Sequence, residues 1–101
     1  MKEFEIYLPS RQNDGILVEM AEIESIKAIL IKAFGGCANF QQHSKGVWKM
    51  AGTTFHGDVT IMRVLDDGSV RFDMQQFKKS LERILKQDSV LIVEREVNLV
   101  G

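Results

Sequence analysis

Four side chains able to hold a metal or move a proton fall in the middle of the chain: Cys37, His43, His56 and Asp58. Zinc would accept any of them. His56 and Asp58 stand two apart, a spacing that on a strand points both side chains to one face and so offers the start of a two-ligand site. The set matches no metal knuckle, however. A surface histidine near a turn beside an acidic strand residue is the expectation, with no metal and no cofactor. Cys37 with His43 or His56 as base would make a nucleophile, but nothing in the sequence announces the oxyanion hole that such chemistry needs. Cys37 directly follows Gly35-Gly36 and reads as a small buried residue opening a strand. No residue is singled out as catalytic.

Binding chemistry gives a second set. Trp48 is the single tryptophan, and beside a turn such a residue either plugs the core or anchors a binding surface; core is favoured, because large aromatics mostly bury. Arg11, Lys49, His56 and Arg63 could line a pocket for a small anion beside it, and with Trp48 and Asp58 they form the candidate ligand set. Gly35-Gly36 follows a helix instead of preceding one, so it caps that helix and cradles no phosphate. Lys79, Arg83 and Lys86 make a basic stripe, yet Lys78, Glu82 and Gln87 around it read as an ordinary solvated face. RNA-recognition domains stack bases on aromatics of their first and third strands. Ile6-Tyr7-Leu8 faintly matches the first of their motifs, whereas Asp58 to Val64 lacks the aromatics of the second.

These residues need a scaffold. Phe4, Ile6 and Leu8 alternate with Glu3, Glu5 and Tyr7, a period of two that predicts a half-buried first strand ending at Pro9. Asn13-Asp14-Gly15 marks a turn. From about Glu19 the period lengthens: Ile23, Ile26, Leu30, Ala33 and Phe34 share one helix face, and Gly35-Gly36 stops the helix. The segment from Cys37 to Leu65, rich in Thr, Val, Phe and Gly, predicts two antiparallel strands near residues 38–50 and 56–65, with the turn at Ala51-Gly52-Thr53-Thr54 and Gly46 as a bulge. Asp73 and Gln76 suggest a capping box ahead of a second helix carrying Met74, Phe77, Leu81, Ile84 and Leu85 on one face. Val90-Leu91-Ile92-Val93 opens a last strand running to Val97. The order strand-helix-strand-strand-helix-strand over residues 1–101 predicts one α+β domain of ferredoxin-like plan, a four-stranded antiparallel sheet with both helices on one face.

The helices would then cover Phe4, Ile6, Leu8, Leu91, Val93 and Val97. The other face would lie open, carrying Tyr7, Val90 and Ile92 with Glu5, Glu94 and Glu96, while the third strand is apolar on both sides. So apolar an open face suggests a partner, and a homodimer using Tyr7, Met62, Val64 and Ile92 is expected.

Composition narrows the classes. Apolar residues at 45% and charged residues at 27% are ordinary for a packed domain, and a net charge of -1 excludes an overall pull toward polyanions or anionic lipid. The amino end, Met1 to Glu5, is too charged for the apolar part of a signal peptide, and the densest apolar run, Ala28 to Ile31, stops at Lys32. Cys37 is the only cysteine, so no internal disulfide forms, and a reducing cytoplasm is the expected setting.

Phe34-Gly35-Gly36 at a helix end, Gly46-x-Trp48, Gly52, Asp58 opening an apolar strand, and Gln87-Asp88-Ser89-Val90-Leu91 together resemble a group of small bacterial and phage proteins of unknown function with a ferredoxin-like plan. The resemblance implies a fold and no activity. The leading expectation is a noncatalytic dimeric domain that binds a metabolite or protein partner. The alternatives are a small enzyme using His56 and Asp58 with Cys37 or His43, and an RNA-binding domain on the sheet face.

Overall fold

The computed structural model describes all 101 residues. Its centre is β1 (Lys2–Pro9), buried without a break from Phe4 to Leu8. A strand is covered on both faces only when it lies inside a sheet with a layer on each side. Here β1 pairs antiparallel with β5 (Val59–Asp66) on one side and with β6 (Leu91–Glu96) on the other. β2 (Ala38–Gln42) adds to the far side of β5, so the sheet order is β2-β5-β1-β6.

α1 (Met20–Phe34) and α2 (Met74–Ile84) lie on one face. Ile26 and Leu30 from α1, Leu81 from α2 and Leu85 after it pack with Phe4, Ile6 and Leu8 of β1 and Met62 and Val64 of β5 into one buried cluster. α1 ends where expected: Gly35 takes a left-handed φ of 82° and its N–H donates to the Ile31 carbonyl. At α2 the Asp73 carboxylate accepts from the Gln76 N–H at 3.0 Å, a cap of the expected kind. No helix is long and apolar enough to cross a membrane.

The middle of the chain departs from expectation. It forms four strands, not two: β2, then β3 (Val47–Met50) and β4 (Thr53–His56) as a separate hairpin, then β5. Gly46 at φ 73° and Gly57 at φ 77° mark the points where the hairpin leaves the main sheet, and the Gly57 N–H donates to the Gly46 carbonyl at 2.8 Å across its base. Gly46 is therefore a pivot, not a bulge. At the tip Ala51 and Gly52 both take positive φ, the tight turn whose twist matches that of a hairpin.

The hairpin folds over the sheet face opposite the helices. Phe55 and Trp48 pack on Tyr7, Val59 and Ile61, with Met50, Leu91 and Val93 at the margin. Much of the face expected to be open is thus covered by the chain itself. The last strand is also shifted by one residue. Ile6 pairs with Ile92 and Tyr7 with Leu91, which turns Val90 and Ile92 toward the helices and Leu91 and Val93 toward the hairpin. A continuous apolar run has no alternation to fix its phase; cross-strand pairing fixes it.

The hairpin's hold should be measurable. Phe55→Ala removes a buried ring at the hairpin contact and should lower stability by about 3 kcal/mol in chemical denaturation. Trp48 emission in the folded state should shift to the red as the indole loses its stacking partner.

Candidate functional site

β1 and β6 are antiparallel neighbours, so the loop leaving Pro9 and the loop entering Leu91 meet at one end of the sheet. They are fastened together: the Asn13 N–H donates to the Lys86 carbonyl at 3.1 Å, and the Gln87 side-chain amide donates to the Arg11 carbonyl at 2.8 Å. The first loop is further closed on itself by the Gln12 N–H on the Ile16 carbonyl and the Arg11 guanidinium on the Gly15 carbonyl. The second strand of the hairpin forms the third wall. Between these three segments lies a cleft of about 440 Å³. Its walls present Arg11, Asn13, Thr54, His56, Gln87 and Asp88, with Phe55 at the base.

Of the residues expected at a site, the cleft brings together Arg11 and His56. The others lie elsewhere. Trp48 stacks on Phe55 with ring centres 4.5 Å apart and 20° between planes, and its indole N–H donates to the Gly57 carbonyl at 2.9 Å. It packs between hairpin and sheet, as its size suggested. Lys49 stands opposite Thr54 and is exposed.

Asp58 bonds to His43 and Ser44 and not to His56. The left-handed Gly57 breaks the strand between them, so two-residue spacing no longer means one face. One Asp58 oxygen accepts from the Ser44 N–H at 3.0 Å and the other meets His43 Nδ1 at 3.1 Å. The Ser44 N–H and the His43 ring hold the Asp58 carboxyl below its usual range. The two-ligand start at His56 and Asp58 therefore does not form. Cys37 packs against the helix-side core, and burial pushes its thiol up, away from the reactive thiolate. His43 lies six residues along β2 from it, about 20 Å by strand rise, so the two make no dyad.

The expected interface set is also redistributed. Met62, Val64 and Ile92 belong to the layer under the helices, and Tyr7 is 7% exposed beneath Phe55. None of them offers an open face to a second copy or a base to stack on.

Arg63 belongs to a different cluster. Glu3 and Glu5 project from β1 to the face opposite the helices, where Arg63 of β5 and Arg95 of β6 close over them. Arg63 reaches Glu5 at 2.8 Å and Glu3 at 2.7 Å, while Arg95 bonds the other Glu5 oxygen. The Arg63 guanidinium also lies 5.1 Å from the centre of the Phe40 ring. Burial alone would raise the Glu5 carboxyl, but the bonds from Arg63 and Arg95 outweigh it and hold Glu5 below the usual carboxylate range.

Fold and cleft together define a small α+β protein, its sheet covered by helices on one face and by a hairpin on part of the other, with a polar cleft where two loops and that hairpin converge. No family model matches the sequence, and no curated protein matches it. Among solved structures the chain is similar to a phage SAM lyase in complex with S-methyl-5'-thioadenosine, with a TM-score of 0.67 and 15% identity over 94% of this chain and 80% of that one. At that identity the likeness shows the fold. It leaves the expectation of a noncatalytic domain without support, since an enzyme uses this arrangement of elements.

The depressed Glu5 carboxyl stabilises the fold above the ordinary carboxylate range, and that contribution is lost as pH falls through its folded value. Glu5→Gln should therefore lower the melting temperature at pH 7, by the equivalent of about 1–3 kcal/mol for a lost charged hydrogen-bond pair. The gap from the unaltered protein should narrow as the pH is taken below 4, as a melting series across pH would record.

Proposed function

We propose that the chain is a small enzyme acting on an S-adenosyl sulfonium compound, with the cleft between the two loops and the hairpin as its site. The observation that carries this reading is a single one: a polar cleft of about 440 Å³, a volume suited to a nucleoside-sized ligand, on a fold shared with an enzyme holding a nucleoside thioether. The strand order β2-β5-β1-β6 with both helices on one face supports a ferredoxin-like description of the main sheet, the β3–β4 hairpin being inserted between its second and third strands.

The chemistry follows from the substrate class. When a sulfonium C–S bond breaks, its electron pair moves onto sulfur, which departs as a neutral thioether. In a lyase no water is added: as the C–S bond breaks, a base takes the proton from the neighbouring carbon and the C–H electron pair becomes a C=C bond in the carbon fragment. The protein's part is to hold the fragment in one reacting geometry. Arg11 supplies a cation for a carboxylate on the departing arm, Asp88 an acceptor for ribose hydroxyls, and His56 a group that can take up a proton. The small-molecule partner foreseen from the sequence is assigned to this cleft. Metal and thiol chemistry have no part in the proposal.

Incubation with S-adenosylmethionine followed by chromatography should reveal S-methyl-5'-thioadenosine. Arg11→Ala and His56→Ala should each slow its release at least about tenfold while leaving the melting temperature nearly unchanged, as expected for the loss of one positioning or proton-transfer group. Absence of thioether release, together with no heat of binding for either compound in calorimetry, would overturn the proposal.

A further inference from the structure

The two edges of the main sheet are guarded very differently. β6 carries Glu94, Arg95 and Glu96, all exposed, the kind of charged edge that discourages pairing with another chain. β2 reads Ala38-Asn39-Phe40-Gln41-Gln42, exposed at every position, with no charge and no proline. Its register against β5 runs unbroken from Ala38 opposite Arg63 to Gln42 opposite Val59, so no bulge bends it away. An edge strand without lysine, proline or bulge keeps a row of backbone donors and acceptors open for another strand.

The residues of β2 also say which strand fits. An antiparallel copy centred on Phe40 sets Asn39 against Gln41 of the second copy, twice, with Ala38 against Gln42 and Phe40 against Phe40. Gln41 already donates its amide to the Thr60 hydroxyl at 2.9 Å, which leaves its side-chain carbonyl to accept from the Asn39 amide across the twofold axis. The two Phe40 rings meet on the face opposite the helices, each with an Arg63 guanidinium against it. We propose that β2 is the self-pairing edge of this chain and joins two copies into one eight-stranded sheet. Assembly stops at two, because both outer edges of the joined sheet are then the charged β6 strands. This contact uses none of the sheet-face residues first expected at an interface, and it stands independently of the activity of the cleft.

Phe40→Lys tests it, because it sets two like charges directly opposite one another at the centre of the pairing while changing a side chain that is 38% exposed. Sedimentation at about 100 µM, above a micromolar dissociation constant, should give twice the chain mass for the unaltered protein and one chain mass for Phe40→Lys. Mixing Phe40→Lys with Phe40→Glu should restore the dimer as a mixed pair. A monomeric unaltered protein would overturn the proposal, and so would a dimer that Phe40→Lys leaves intact. Should Phe40→Lys fail to fold, hydrogen exchange on the unaltered chain decides: β2 amides protected more strongly at high than at low concentration support the pairing, and protection independent of concentration overturns it.

Discussion

Most of this structure follows from one constraint, that β1 must be hidden on both faces. Phe4, Ile6 and Leu8 point one way and Tyr7 the other, and each set needs a layer against it. The amphipathic helices supply the first layer. For the second the chain uses an excursion from its own middle, the β3–β4 hairpin, which brings Phe55 and Trp48 over Tyr7. Two glycines at positive φ let the hairpin leave the sheet and return at the same place.

The hairpin covers only part of that face. Beyond it Glu3 and Glu5 continue the alternation of β1 with carboxylates in place of apolar residues, and Arg63 and Arg95 reach across from the flanking strands to close over them. A central strand with a carboxylate on its second face needs such partners, since an unpaired buried charge costs far more than a paired one. One sheet face is therefore sealed in two ways, by aromatic packing at one end and by ion pairing at the other.

The periodic parts of the molecule were legible in the sequence. A period of two in β1, a helical stripe in α1 ending at glycine, and Asp73 ahead of α2 each act locally, and each element stands where that local signal put it. The hairpin was not legible in the same way, because residues 38–65 carry turn glycines at Gly46, Gly52 and Gly57 without saying which of them ends a strand and which only bends one. The phase of β6 was hidden for a related reason: Val90 to Val93 are apolar throughout, and only the pairing of Ile92 with Ile6 decides which face each takes. His56 and Arg11 were identifiable as candidates, whereas Gln87 read as part of a solvated helix face and Asp88 carried no site reading, because the partner loop of this segment lies 76 positions away from Gln87 at Arg11.

That pairing of distant loops also gives the cleft its order. Loops at a sheet end are ordinarily the mobile part of a small domain. Here each is held by a bond to the other: the N–H of Asn13 in the first donates to the second, and the Gln87 amide in the second donates back to the first. Glu82 adds a third hold from the last turns of α2, accepting from Lys78 and from the Val90 N–H where β6 begins. The segment that carries Asp88 is thus fixed at both ends, by the helix behind it and the strand ahead. A side chain on so short a tether keeps its position relative to Arg11 and His56 without any ligand to organise it, which is the preorganisation that the proposed reaction site asks of a few polar groups at the end of a small sheet.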